Sequence, residues 1–430
     1  MMEISHRVKS IAFPVAGVLA LTLVTANRAR AQTHWVGSWT ASQQIPEPGN
    51  ALPPANLQNA TLRQIVHLST GGRELRVCLS NRFGTAPLVF AAVHIAEPVS
   101  PASPKIVPGS DHALTFSGVS EATVPAGADY VSDPVEFPAA PLSNLAITIY
   151  LETPPARQTG HPGSRSTSYL VHGNHVSDAD LPDAKTVEHW YFIAGVDVAA
   201  AENAAAIVTL GDSITDGHAS TTNGNDRWPD VLARRLQTSP DTRGLAVLNV
   251  GTGGNRLLVD GLGPNALARF DADVLAQSGV RYLIVLEGVN DLGMMTREGD
   301  VPQAQHEAMV REIEAAYEQM IASAHSHGIE AIGGTITPFV GSAFYHPGPN
   351  TESDREAINR WIRAPGHFDA VIDFDQVMRD PERPDRLNPQ LDCGDHLHPS
   401  PAGYAAMADA IPLSLFTSRS QAAVAAHATN

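Results

Sequence analysis

Apolar and polar positions change rhythm near residue 200. From Trp35 to about Val198 the chain runs in short, often alternating segments: "TLRQIVHLST", "ELRVCLSNRF", "LVFAAVHIAE", "ADYVSDPVEF" and "NLAITIYLE". Gly, Pro, Asn and Asp separate them, and no helical run exceeds a turn or two. This spacing predicts an all-β sandwich or jelly-roll-like fold over residues 32–199. After about Ala200 the runs "AAIVTL", "LAVLNV", "YLIVLE", "EAIGGTI" and "VIDFD" are apolar on both faces. Helical stretches alternate with them: "RWPDVLARRL", "VPQAQHEAMVREIEAAYEQMIASAHSHG" and "SPAGYAAMADAI". Doubly buried strands alternating with helices predict a parallel α/β sheet wrapped by helices over residues 200–416. The segment "AAENAAA", Ala200 to Ala206, joins the halves. Residues 417–430 are small and polar and are expected to fray.

The first 31 residues stand apart from both halves. His6, Arg7 and Lys9 make a basic start, Ile11 to Ala26 is an apolar run, and Ala29-Arg30-Ala31 offers a small-x-small cleavage site. The pattern predicts a secretory signal peptide, 1–31, cleaved after Ala31, and hence a secreted or periplasmic protein. The apolar run is short and interrupted by Pro14, so a stable membrane anchor is not expected.

With 430 residues and 43% hydrophobic content the chain can bury two sizeable cores. Its formal charge is −17; without residues 1–31 there remain 24 cationic and 44 acidic side chains, a balance of −20. Such a surface repels nucleic acid and anionic membranes, so neither is an expected partner. Cys78 and Cys393 are the only cysteines and fit no zinc pattern. One disulfide is compatible with export, although Cys78 lies in an alternating strand and reads as a small core residue. Trp35 and Trp39 could stack on sugars, but their place in a strand pattern favours core packing.

One strand ends oddly. "AAIVTLGDSITDG" runs from a buried-strand pattern straight into Gly211-Asp212-Ser213. In a parallel sheet, sites form beyond the carboxyl ends of the strands. Gly211 permits a sharp turn, and Ser213 can stand above the sheet either as a helix cap or as a nucleophile. A serine nucleophile needs a base, and "CGDHLHPSPAGY" supplies Asp395 and His398 between the last strand and the last helix. Their spacing of three predicts one face of a helical turn, with Asp395 bracing His398 while His396 points away. A chelating His396-x-His398 pair is the rival, and no further ligand cluster accompanies it. Oxyanion donors are available at two other strand ends, in "GTGGN" (251–255) and in "GVND" (288–291), where Asn290 carries a side-chain amide. Both are also common turn sequences.

Gly211-Asp212-Ser213, the glycine cluster ending at Gly254, Gly288-Val289-Asn290-Asp291 and Asp395-His396-Leu397-His398 together resemble the four blocks of the GDSL or SGNH hydrolases, in the family's order. The resemblance covers about Ala205 to Leu415. It implies a three-layer, flavodoxin-like fold for this half and a catalytic triad of Ser213, Asp395 and His398. It also implies an oxyanion hole made by the N–H groups of Ser213 and Gly254 and the amide of Asn290. Gly254 is preferred to Gly253 because it lies five residues after Asn249, as the family's N-x-G-x-x-G pattern suggests. Ile214 stands where the family name has Leu. No G-x-S-x-G elbow surrounds Ser213, which separates this chain from the α/β-hydrolases.

The implied activity is hydrolysis of carboxylic esters through an acyl-serine, with no cofactor and no metal. The β-rich front half, opening "HWVGSWTAS", also resembles that of secreted two-domain bacterial members near xylan-associated acyl hydrolases. The expected substrate is therefore an acetylated carbohydrate, either a small molecule or a polysaccharide. A lipase-like or arylesterase activity on longer esters is the alternative. A different class is a glycan-binding protein with a silent hydrolase domain. Because all four blocks follow Ala205, the front half is expected to modulate substrate choice and carry none of the chemistry.

Overall fold

The computed structural model describes residues 33–417. The expected signal peptide lies outside the described residues, as does the tail beyond Thr417. Of the described residues, 34–417 belong to one compact unit. Among the described residues no helix is long and apolar enough to cross a membrane.

The second half is built on five parallel strands: Ala205–Gly211, Leu245–Gly251, Val280–Leu286, Glu330–Gly334 and Ala370–Ile372. In space the second lies outside the first, and the third, fourth and fifth follow on the other side. This 2-1-3-4-5 order is the flavodoxin-like doubly wound order, which opens a crevice beside the first strand at its carboxyl end. The first strand is buried at every position, so both of its faces had to be apolar or small. The helix Trp228–Gln237 turns Trp228, Leu232, Ala233 and Leu236 inward. Gln303–Ser326 does the same with Ile313, Ala316, Tyr317, Met320 and Ala324. These are the helical spacings the sequence displays.

Among the described helices not visible in the apolar pattern, two are longer than one turn and a half. Pro349–Arg363 buries Asp354, Arg355 and Asn359 beside Ile358 and Ile362, so its inner face reads as polar. Val289–Thr296 starts on Gly288 at φ +107° and carries Gly293, where an added Cβ would lie 2.4 Å from the Tyr345 ring.

The first half is antiparallel. One sheet contains Trp35–Thr40, Ile193–Ala199 and Gly72–Ser80, edged by Asp129–Val131 and Val135–Ala139. The other orders Lys185–Val187, Ser168–His172, Ala60–His67, Asn144–Leu151, Ala92–Ala96 and His112–Ala113. Leu75, Val77 and Val196 of the first sheet meet Leu62, Ile147 and Ile149 of the second in one buried cluster. Trp39 is part of it, edge-on to Trp190 at 4.9 Å. Cys78 and Cys393 are both free thiols, the first half-buried and the second exposed.

The halves are closely joined. Val36 belongs to the core of the parallel sheet. The Gly37 N–H donates to the Ser278 carbonyl at 2.9 Å. The Ser42 hydroxyl donates to Asp273 at 2.6 Å, and Arg82 pairs with the same carboxylate at 3.1 Å.

Candidate active site

The glycines that end the first two parallel strands leave no room for a side chain. A Cβ on Gly211 would lie 2.1 Å from Thr215 Oγ1, and one on Gly251 would lie 2.2 Å from the Asp216 nitrogen. The short helix Ser213–Asp216 follows the first of these strands. Its cap is Asp212, whose carboxylate accepts from the Ile214 N–H at 2.9 Å. Ser213 is thus released from capping, and its Oγ lies 2.8 Å from His398 Nε2.

Asp395 holds the other side of that ring, with His398 Nδ1 2.6 Å from Asp395 Oδ2. The expected helical turn is absent: residues 394–398 form a bend, and His396 sits at φ +62°. The spacing of three works for a different reason. Asp395 Oδ1 accepts the N–H groups of Leu397 at 3.0 Å and His398 at 2.9 Å, so the carboxylate folds the backbone around itself and meets the ring with its second oxygen. Partial burial pushes the Asp395 carboxyl up, but the bonds from the His398 ring and backbone outweigh it and hold the group well below the usual range. His396 turns aside to pair with Asp392 at 2.8 Å and is half exposed. His398 is 8% exposed.

The other two blocks arrive at the same place. Ser213, Gly254, Asn290, Leu262, Phe344 and His398 all line one open cleft of about 1020 Å³. Gly253 and Gly254 differ in what their N–H groups do. Gly253 donates to Asp216 Oδ2 at 3.1 Å. The N–H groups of Gly254, at φ +67°, and of Ser213 have no acceptor among the described residues. The Asn290 amide gives one N–H to the Asn255 carbonyl at 2.7 Å, and its oxygen accepts from the Tyr345 hydroxyl. Its second N–H is left for a guest.

Several further side chains brace this arrangement, and of these Arg269, Glu287 and His218 carry no recognisable sequence signal. Arg269, 4% exposed, donates to Asn255 Oδ1 at 2.7 Å and to the carbonyls of Val250 at 2.6 Å and Gly211 at 3.0 Å. It thereby ties two strand ends together. Asp291 accepts from the N–H groups of Leu257 at 2.9 Å and Leu258 at 3.1 Å, and burial pushes its carboxyl up to about 6. Asp212 and Glu287 lie buried beneath the site; desolvation first raises both carboxyls, and nearby charge adds to it, from Asp291 on Asp212 and from Asp212 on Glu287. His218 packs on the His398 ring with centroids 4.0 Å apart. Burial, then the nearby charges of His398 and Arg165, lower its pKa to about 4. The ligand atoms of His218, Asp395 and His398 fall within 4.8 Å of one another, yet both nitrogens of His398 are already engaged by Ser213 and Asp395.

A serine aligned on a braced histidine at the carboxyl edge of a doubly wound sheet suits acyl transfer, and this half of the chain is a carboxylic ester hydrolase. Residues 209–406 match the model of the GDSL-like lipase/acylhydrolase family, and that stretch is a GDSL-like lipase/acylhydrolase domain. Among solved structures, a GDSL-like lipase from Bacteroides thetaiotaomicron is 18% identical, covering 50% of this chain and 88% of that one with a TM-score of 0.36. An acetyl xylan esterase from Geobacillus stearothermophilus is 19% identical, covering 48% and 92% with a TM-score of 0.35. A second acetyl xylan esterase is 19% identical, covering 48% and 96% with a TM-score of 0.36. No curated protein matches the chain.

Proposed function

We propose that Ser213 is the nucleophile of a serine esterase, with His398 as general base and Asp395 as its orienting carboxylate. The observation that carries this reading is the unbroken line of contacts, 2.8 Å from Ser213 to His398 and 2.6 Å from His398 to Asp395. His398 takes the hydroxyl proton as Ser213 Oγ attacks the ester carbonyl. The N–H groups of Ser213 and Gly254 and the free N–H of Asn290 receive the oxyanion. One such donor is worth about 2.7–4 kcal/mol where it has been removed from a comparable hydrolase. His398 then protonates the leaving alcohol, and water repeats the sequence on the acyl-serine.

The substrate in this reading is an acetylated carbohydrate, reached after export. The open cleft suits a bulky alcohol that stays largely in solvent while a small acyl group is cut. A second reading, longer acyl or aryl esters, is favoured by Leu262 and Phe344, which line the cleft and are 53% and 51% exposed. Rates across p-nitrophenyl esters from acetate to dodecanoate, together with acetate release from acetylated xylan, separate the two. A rate that falls steeply beyond butyrate, with acetate released from xylan, supports the carbohydrate reading; a maximum at octanoate or longer replaces it with the second. Absence of any turnover with p-nitrophenyl acetate would leave a glycan-binding protein with a silent hydrolase domain.

A further inference from the structure

We infer that the β-rich front half sets the oxyanion loop, with His161 acting as a positioning residue for Gly254 through Asp216. The inference rests on the serine-esterase reading and concerns how its oxyanion hole is held.

His161 belongs to the short strand Gly160–His161 of the front half and is 3% exposed. Its Nδ1 lies 2.8 Å from the Ser42 carbonyl, and its Nε2 lies 2.9 Å from Asp216 Oδ1. A carbonyl only accepts, so Nδ1 carries a hydrogen. The Nε2–Oδ1 contact then also needs a hydrogen between its two atoms, on whichever side it resides. The other oxygen of Asp216 accepts the Gly253 N–H at 3.1 Å. Asp216 is the last residue of the helix that Ser213 begins. One carboxylate therefore connects three things: the nucleophile's helix, the glycine loop, and a histidine from the front half.

The glycine loop needs such a connection. Gly253 and Gly254 have no side chains to restrain them, and glycine explores far more backbone space than other residues. The next residue, Asn255, is already pinned by Arg269 and Asn290. The Asp216 contact pins the segment on its other side, and the unpartnered Gly254 N–H lies between the two anchors. A buried ion pair alone is weak evidence for a stabilising role. Here the surroundings accommodate this pair in particular. An added Cβ on Gly163 would sit 1.9 Å from Asp216 Oδ2, so the front-half loop leaves room for that oxygen. The Trp190 ring lies near-parallel to His161 with centroids 5.8 Å apart. The front half would then carry none of the chemistry itself and yet position a group that does.

Three variants test this on the full chain, with p-nitrophenyl acetate as the substrate. His161→Asn keeps a donor for the Ser42 carbonyl and loses the bond to Asp216. It should lower kcat about ten- to a hundredfold, since misplacement of a catalytic group by about 1 Å costs up to that much, with KM changed less than twofold. His161→Gln can still donate to Asp216 and should recover most of the loss. Gly163→Ala removes no polar group but drives its Cβ into the carboxylate, and it should lower kcat in the same way even if His161→Asn fails to fold. Affinity for a boronic acid, which forms a tetrahedral adduct at the serine, should fall with kcat. Wild-type kcat in folded His161→Asn or Gly163→Ala, or a loss confined to KM, would overturn the inference. Turnover that survives Ser213→Ala would instead overturn the esterase reading on which it rests.

Discussion

Replacing Asn290 by alanine asks the most of the proposed oxyanion hole. The side chain is 2% exposed and has three tasks: it receives the Tyr345 hydroxyl, donates to the Asn255 carbonyl, and offers one remaining N–H to the cleft. Only the third depends on charge that develops in the transition state. Its loss should lower kcat by about 10²–10³, equivalent to about 2.7–4 kcal/mol, and leave KM nearly unchanged. The first two tasks belong to folding. Alanine strands a buried hydroxyl and a buried carbonyl, each costing about 1–3 kcal/mol if no water replaces the partner. Stability must therefore be measured beside rate, by urea unfolding of the same preparations. Asn290→Asp keeps the shape but turns the donor into an acceptor, and should harm kcat at least as much. Tyr345→Phe removes a brace and leaves the donor, so its effect on kcat should be clearly smaller. A rise in KM at constant kcat in Asn290→Ala would refute the reasoning and make the residue a substrate contact.

Ser213→Ala should abolish hydrolysis in a folded protein, and a fluorophosphonate should label the wild type at this serine; turnover in the variant would remove it as nucleophile. His398→Ala should lose nearly all activity, whereas His396→Ala, which removes a half-exposed ring paired to Asp392, should keep a substantial part. EDTA should have little effect, and inhibition reversed by zinc would point to the chelating alternative. Asp291 binds its proton more tightly in the folded protein, at about 6, than an ordinary aspartate does at 3.8. Unfolding free energy should therefore fall as pH rises between those values, by at most about 1.4 kcal/mol per pH unit from this group. Asp291→Asn should flatten that slope in urea melts at pH 4 to 7, and an unchanged slope would contradict the assignment.

Most of the candidate site residues were legible because they lie just beyond strand ends that the apolar pattern marks. Ser213, Gly254 and Asn290 each follow a run buried on both faces, and Asp395 and His398 precede a helix with an ordinary Ser400 cap. The groups that hold them were not legible. Tyr345 reaches Asn290 across 55 positions, and His161 reaches Asp216 across 55. Pairing at such distances leaves no local period. His218 sits five residues after the serine with nothing to distinguish it from a loop histidine until its ring is found against His398. The spacing of Asp395 and His398 brings the two side chains into contact by a geometry other than the expected helical turn, because an aspartate can organise a bend with its own oxygens as well as a helix can align two side chains.

The two thiols give the molecule a built-in reporter. Cys393 is exposed and stands two residues before Asp395, and its N–H donates to the His398 carbonyl at 3.0 Å. Cys78 is half-buried. Burial raises both, to about 11 for Cys393 and about 12 for Cys78, so neither forms much thiolate near neutrality. Alkylation will be slow, but access favours one site. A single fluorophore or spin label can thus be placed on the histidine loop of the unaltered chain. Its signal would follow that loop as substrate arrives and leaves, without any engineered cysteine.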